Sequence, residues 1–232
     1  MDVAVLIPCY NEEKTIAAVV EDFHKYLPNA KIYVYDNNCT DRTMDIVSKY
    51  DYCIPGICRK QGKGATVRKM FKEIDADVYL MVDGDTTYPA KYAPRLVRAI
   101  AEDRCDMILG DRLSANYYED NDRSFHGIGN WLVKFLVNHL YHGHIPDIMT
   151  GYRAFNRNFV KSVNIKSDGF QIETELTIFA LKSKRRVGSI RIKYGSRPDG
   201  SVSKISTISD GMKIITYILK SKFLPKSLDK SR

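Results

Sequence analysis

Short β-branched apolar runs alternate with longer stretches of helical spacing through the first half of the chain. Residues 3–7, 32–35, 78–82 and 107–109 read as strands, the last three bounded by Asp or Gly. Between them, residues 12–27 place Ile16, Val19, Val20, Phe23 and Leu27 at helical intervals, and residues 41–50 and 63–74 are further helices. This β-α-β-α order predicts an α/β, Rossmann-like single domain with a mostly parallel central sheet flanked by helices. Ligand groups should then gather at the carboxyl ends of the strands. The second half is less regular. Residues 113–124 are polar, have no apolar period and predict a mobile loop. Helices are expected over 125–141 and 170–181, a strand over 187–192, and a Gly- and Ser-rich loop over 194–204. A last helix, 206–223, sets Ile208, Met212, Ile215, Leu219 and Phe223 on one face.

With 232 residues, 44% of them hydrophobic and 28% charged, the chain fits one globular core and neither disorder nor a coiled coil. The apolar runs fall short of the about 20 residues that a membrane-spanning helix needs. The start, Asp2 followed by a strand-like apolar run, is unlike a signal peptide. Five cysteines, an odd number without a CxxC pair, fit reduced thiols, and the expected location is the cytoplasm. The net charge of +8 is unevenly distributed. Residues 182–232 hold fourteen Lys and Arg against three Asp, whereas the first 181 residues hold 22 basic against 25 acidic. A basic end of this kind suits a phosphorylated substrate, an anionic membrane or nucleic acid, and charge alone does not choose.

The motifs do choose. Asp83-Gly84-Asp85 follows the apolar run 78–82. Two carboxylates one small residue apart at a strand end can grip a hard divalent cation and leave positions open for phosphate oxygens. Asp and Gly also form plain turns, so the pair needs company. It has Pro8-Cys9-Tyr10-Asn11-Glu12-Glu13 after the first strand and Asp36-Asn37-Asn38-Cys39-Thr40-Asp41-Arg42-Thr43 after the second. A third cluster, Arg59-Lys60-Gln61-Gly62-Lys63-Gly64-Ala65, is not a P-loop. Five residues separate Gly56 from Gly62 where that motif has four, and Gly64 stands where a Ser or Thr would hold magnesium. His139, His142 and His144 lack a second ligand pair at structural-zinc spacing, and Cys53 and Cys58 read as packing thiols.

Taken in order, Pro8-x-Tyr10-Asn11-Glu12, Asp36-Asn-Asn-x-Thr-Asp41-x-Thr43, Gly62-Lys63-Gly64 and Asp83-x-Asp85 resemble the family-2 inverting glycosyltransferases of the GT-A fold. Further on, Gly110-Asp111-Arg112, Asp147-Ile-Met-Thr-Gly151-Tyr152-Arg153, Gly169-Phe170-Gln171-Ile172-Glu173, and Arg197 with Ser203-Lys204 are similar to the dolichyl-phosphate mannose synthase branch. Asn37 stands where many members have Asp, Asp111 where Ser is usual, and Thr86-Thr87 where Leu-Gln is usual. The resemblance implies a catalytic domain over 1–205 followed by a basic amphipathic helix and tail over 206–232. It implies that Pro8, Tyr10, Glu12, Asp36 and Lys63 bind the nucleotide together with Asp83. Asp83 and Asp85 would hold Mg²⁺ or Mn²⁺ on the diphosphate, and Arg112, Arg197 and Lys204 would meet phosphate oxygens of donor or acceptor. Asp85 and Asp147 are the catalytic candidates, Asp147 as the group that orients or deprotonates the acceptor.

The implied reaction transfers a sugar from a UDP- or GDP-sugar to a polyprenyl phosphate, at the cytoplasmic face of a membrane reached directly or through a small membrane-anchored partner. A hydroxyl acceptor on a cell-surface polysaccharide is the alternative, and it would require a carboxylate base. Nucleic-acid binding is disfavoured, because the C-terminal lysines are interleaved with an apolar stripe and no recognised nucleic-acid module occurs.

Overall fold

The computed structural model describes residues 1–114, 124–196 and 207–223. Among them, seven strands form one sheet in the order β3-β2-β1-β4-β6-β5-β7. These are β1 (Val3–Cys9), β2 (Lys31–Asp36), β3 (Cys53–Ile57), β4 (Val78–Met81), β5 (Met107–Asp111), β6 (Arg153–Asn156) and β7 (Val187–Arg191). Only β6 runs antiparallel, inserted between β4 and β5, while the other pairs are parallel. The helices are α1 (Ile16–Tyr26), α2 (Thr43–Val47), α3 (Lys63–Glu73), α4 (Ala93–Ala101), α5 (Ser124–Tyr141), α6 (Arg157–Ser162), α7 (Ile172–Lys182) and α8 (Thr207–Phe223).

The alternating side chains of β1 explain the three-layer packing. Val5 and Ile7 face a cluster with Ile16, Val20 and Phe23 of α1 and Leu96 and Ile100 of α4. Ala4 and Leu6 face the opposite cluster, with Val67 and Met70 of α3 and Ile172 and Leu176 of α7. Both faces of the strand are covered, which is why its sequence is apolar throughout instead of alternating. A third cluster joins Leu109 of β5 to Val133 and Val137 of α5, Ile178 of α7, and Ile214 and Ile218 of α8.

Four elements are additions to the sequence reading: β3, β6, α4 and the short α6. β3 contains Pro55 and Gly56 and survives as a strand because it lies at the sheet edge, where a missing N–H is tolerated. β6 has only four residues, and α4 is amphipathic through Leu96, Val97 and Ile100. The loop expected over 113–124 lies outside the described residues from 115 to 123.

The last helix forms, and the face it buries is not the apolar stripe named above. Met212, Leu219 and Phe223 are exposed, and Ile214 and Ile218 enter the core. The helix carries apolar residues on two sides, and the branched pair one turn apart is the one that fits α5. Ile218→Ala should therefore cost about 2–5 kcal/mol of unfolding free energy, whereas Leu219→Ala should change it by no more than about 0.5 kcal/mol. Urea denaturation of the two variants checks this.

Candidate active site

The carboxyl ends of β1, β2 and β4 are tied together by short polar bonds. Beyond β1, Asn11 takes the left-handed conformation (φ 54°), which Asn tolerates better than most residues. Its Oδ1 accepts from the Thr40 N–H at 2.7 Å. The Glu12 N–H donates to Thr43 Oγ1 at 2.8 Å, and the Glu13 N–H to Asp41 Oδ2 at 3.0 Å. Burial alone would raise the Asp41 carboxyl, but hydrogen bonds from Thr43 and from the Glu13 backbone hold it below its ordinary value.

Asn37 organises the turn leading to α3. Its Nδ2 donates to the carbonyls of Cys58 and Lys60 at 3.0 and 2.8 Å, and its Oδ1 accepts from the Gly62 N–H at 2.7 Å. Gly62 lies at φ 125°, and a β-carbon there would collide with the Asp168 carbonyl, so glycine is required.

The Asp83-Gly84-Asp85 turn follows β4. Asp85 is buried, and its Oδ1 accepts from Thr87 Oγ1 at 2.5 Å and from the Thr87 N–H at 3.2 Å. Thr15 Oγ1 donates to the Gly84 carbonyl at 2.6 Å and anchors the turn to α1. Asp83 pairs with Lys63, whose Nζ also lies 2.6 Å from Glu173 Oε1 in the first turn of α7. Burial would depress the Lys63 ammonium, but the charges of Asp83 and Glu173 outweigh it and hold its pKa well above the usual lysine range. Gly151 packs here too, since a β-carbon would stand 2.6 Å from Asp83 Oδ2.

Asp111, at the end of β5, accepts from the Leu113 and Ser114 N–H groups and so shapes the turn that presents Arg112. The Arg112 guanidinium forms a two-pronged pair with Asp147, Nε to Oδ2 at 2.7 Å and Nη2 to Oδ1 at 2.9 Å. The Arg112 N–H adds a third bond to Oδ2. Burial works against the cation, and the Asp147 carboxylate more than restores it, so Arg112 stays charged. Its guanidinium carbon stands 5.2 Å from the centre of the Tyr194 ring, a cation–π contact. Tyr194 meets Tyr88 edge to face at 5.2 Å, and the Tyr88 hydroxyl accepts from the Gly151 N–H at 2.8 Å. Under this turn lies Arg153, fully buried, donating to the carbonyls of Ile148 and Thr150 and to Thr177 Oγ1. Burial lowers its pKa to about 10.

These residues enclose a cleft of about 390 Å³. Of the sequence candidates, Pro8, Tyr10, Glu12, Lys63, Asp83, Asp85 and Arg112 line it. Asp36 is not among its walls. Its Oδ1 accepts from the Cys39 N–H at 2.7 Å, and the neighbouring Asn37 takes the wall position. Asp147 is fully buried beneath Arg112, with both oxygens engaged by the guanidinium, which is a positioning geometry and not that of an exposed base. Arg197 and Lys204 lie outside the described residues. Tyr88, Tyr194 and Asp210 are wall residues that the sequence reading did not single out. Glu173 stood within a quoted motif without a role. The two tyrosines and Asp210 sit in segments with no motif of their own.

Two carboxylates and a strand-end turn fit a hard divalent cation with oxygen ligands. Among the described residues no group of three His, Cys, Asp or Glu could hold a metal without further ligands.

The family model of glycosyl transferase family 2 matches residues 4–163, and the chain belongs to that family. It is 32% identical over 210 residues to "Glycosyltransferase AglJ" of Haloferax volcanii, covering 90% of this chain and 68% of that protein. It is 27% identical over 230 residues to "Dolichol-phosphate mannosyltransferase" of Pyrococcus furiosus, covering 95% of this chain and 64% of that one. The second of these proteins is named for transfer to dolichol phosphate. Its fold is similar to glucosyl-3-phosphoglycerate synthase from Mycobacterium tuberculosis, crystallised with Mn²⁺, UDP and glucosyl-3-phosphoglycerate. The TM-score is 0.79 at 16% identity, over 97% of this chain and 81% of that one.

The Asn37 geometry carries a test. Restoring the acid common at that position, Asn37→Asp, removes the donor to two carbonyls and should lower stability by about 1–3 kcal/mol. Nucleotide affinity should fall with it, as read by thermal denaturation with and without a nucleoside diphosphate.

Proposed function

We propose that this chain is an inverting hexosyltransferase that moves a sugar from a UDP- or GDP-sugar to the phosphate of a polyprenyl phosphate. The observation that carries the reading is the composition of one cleft: Asp83 and Asp85 at the end of β4 share it with the buried guanidinium of Arg112, held rigid by Asp147 and Tyr194. The carboxylates suit the cation-bound diphosphate of a donor, and the guanidinium suits a second anion.

Asp85, with Asp83, would hold Mg²⁺ or Mn²⁺, which on binding neutralises charge on the diphosphate as it leaves. Pro8 near the end of β1 and Tyr10 and Glu12 just after it bind the nucleotide, with Asn37 on the same wall. The Lys63 ammonium, kept charged by Asp83 and Glu173, sets the orientation of the Asp83 carboxylate. An acceptor phosphate oxygen attacks the anomeric carbon as the bond from that carbon to the diphosphate oxygen breaks, and this direct displacement inverts the centre. A phosphate is already ionised at neutral pH, so positioning matters more than a base. The burial of Asp147 beneath Arg112 favours this acceptor over a sugar hydroxyl, because the carboxylate chosen as base serves the guanidinium instead. Arg197 and Lys204 join Arg112 as phosphate ligands in this proposal.

No helix among the described residues is long and apolar enough to cross a membrane. Polyprenyl phosphates stay in the bilayer, so the enzyme works at the cytoplasmic membrane surface, held there by its own surface or by a small anchored partner.

Asp85→Ala should abolish transfer from any donor while leaving the thermal midpoint of the unliganded protein near its starting value, and EDTA should stop the native enzyme reversibly. Full turnover of Asp85→Ala, or undiminished turnover in EDTA, overturns the assignment. Arg112→Ala should raise the KM for polyprenyl phosphate roughly tenfold to a hundredfold, the worth of a charge-assisted contact. Steady-state kinetics with polyprenyl phosphate and with oligosaccharide as rival acceptors separates the two acceptor classes.

A further inference from the structure

We propose that Glu175 is a positioning residue for the nucleotide side of the cleft, holding the loop 166–168 on which the Gly62-Lys63-Gly64 turn rests. Glu175 belongs to α7, is only 3% exposed and is not a wall of the cleft. Two residues earlier on the same helix, Glu173 does line the cleft and pairs with Lys63. Residues two apart leave a helix on nearly opposite sides, so the two acids meet different partners. The mechanism above uses the first and leaves the second, a buried acid, without a role.

The partners of Glu175 are all donors. Its Oε1 accepts from the Lys166 N–H at 2.7 Å, and its Oε2 from the Ser167 N–H at 2.9 Å and from the Ser167 hydroxyl. The Tyr217 hydroxyl of α8 bonds to the same carboxylate. Burial raises the pKa of that tyrosine, and the charge of Glu175 and the bond to it raise it further. One side chain thus gathers two consecutive backbone N–H groups of the loop. A carboxylate can only accept, and burial makes the loss of any of these bonds costly, so the loop is fixed where Glu175 holds it.

The carbonyls of the same loop carry the turn. The Asp168 carbonyl accepts from the Ala65 N–H at 3.0 Å in the first turn of α3, a helix without a side-chain cap. Gly62 and Gly64 lie so close that a β-carbon on either would strike the carbonyl of Asp168 or of Ser167. At the more exposed edge, Arg68 donates to the Ser167 carbonyl at 3.3 Å and Lys60 pairs with Asp168 at 2.7 Å. The N–H groups of the loop therefore belong to α7 and its carbonyls to the start of α3. A shift of the loop passes straight to Gly62 and Gly64, and through Lys63 to the Asp83 carboxylate that it orients. The ligand that feels this shift rests on the donor reading above, but the shift itself is measured without a ligand.

Glu175→Gln keeps the size of the side chain and turns one acceptor into a donor that opposes an N–H. In the unliganded full-length protein, amide hydrogen exchange read by NMR should speed up at least roughly tenfold at Ala65, Lys166 and Ser167, with the amides of β1 unchanged. Affinity for UDP or GDP in the presence of Mn²⁺, measured by calorimetry, should fall roughly tenfold to a hundredfold, the usual effect of losing a group that orients a ligating residue. Ile100→Val, in the core cluster of α1 and α4, should lower the thermal midpoint and leave both readouts at native values. Ser167→Ala removes only the hydroxyl bond to Glu175 and serves where Glu175→Gln fails to fold. It should change exchange at Ala65 and nucleotide affinity in the same direction by a smaller factor. Native exchange at Ala65, or native nucleotide affinity, in Glu175→Gln overturns the proposal, and so does the same result in Ser167→Ala. An equal loss of affinity in Ile100→Val also overturns it, because general loosening then explains the effect. If the native protein binds neither nucleotide, the donor reading fails by itself, while exchange at Ala65 still decides whether Glu175 positions the turn.

Discussion

Lys63 is a cation nearly removed from water between Asp83 and Glu173, and the geometry of the cleft depends on it. The three residues come from the start of α3, the end of β4 and the first turn of α7, so one ammonium group fixes three elements with respect to one another. A buried charge of this kind holds only while all its partners are present, because removing one leaves an uncompensated ion in a poorly solvated place. The same logic recurs a few residues away. Asp147 is buried only because Arg112 matches it with two parallel bonds, and Arg153 is buried among carbonyl oxygens that serve in place of a counter-ion. The turn from Asp147 to Arg153 thus carries an anion at one end and a cation at the other, with Gly151 between them pressed against Asp83. Binding chemistry and packing are one problem in this region.

The sequence made the β-α-β-α half of the fold legible because each parallel strand there is buried on both sides and therefore continuously apolar. It did so for β1, β2, β4 and β5. It concealed β3, where Pro55 and Gly56 mask an edge strand, and β6, whose four residues are too few for a period to register. The last helix was legible as a helix, but which of its apolar sides packs inward was not. Its apolar residues occupy two sides, and only tertiary contact with Val133 and Val137 decides that Ile214 and Ile218 go inward.

The cleft was legible where motifs follow strands, at Pro8, Tyr10, Glu12, Lys63, Asp83, Asp85 and Arg112. Asp36 and Asp147 have side chains of the right chemistry in the right segments, but one supports a turn and the other supports an arginine, and no spacing rule separates a carboxylate that faces a ligand from one that holds its neighbour. The residues that differ from the family pattern prove to be local solutions. Asn37 must donate as well as accept, which an Asp cannot do at neutral pH. Thr87 gives Asp85 a hydroxyl partner, and Asp111 gathers two backbone N–H groups.

The antiparallel strand β6 has a consequence for the order in which the molecule can assemble. Among the described residues β5 hydrogen-bonds only to β6 and β7, and both come later in the chain, whereas β1 to β4 pair among themselves from residues already made. During synthesis from the N-terminus, the first four strands can close their ladder while β5 waits with its polar backbone unpaired on both edges. Residues 153–156 are the keystone, joining an early sheet to a late one, and the charged turn that ends the cleft leads directly into them. The nucleotide half of the site can thus exist before its partner half, and the cleft is completed only when β6 slots into place.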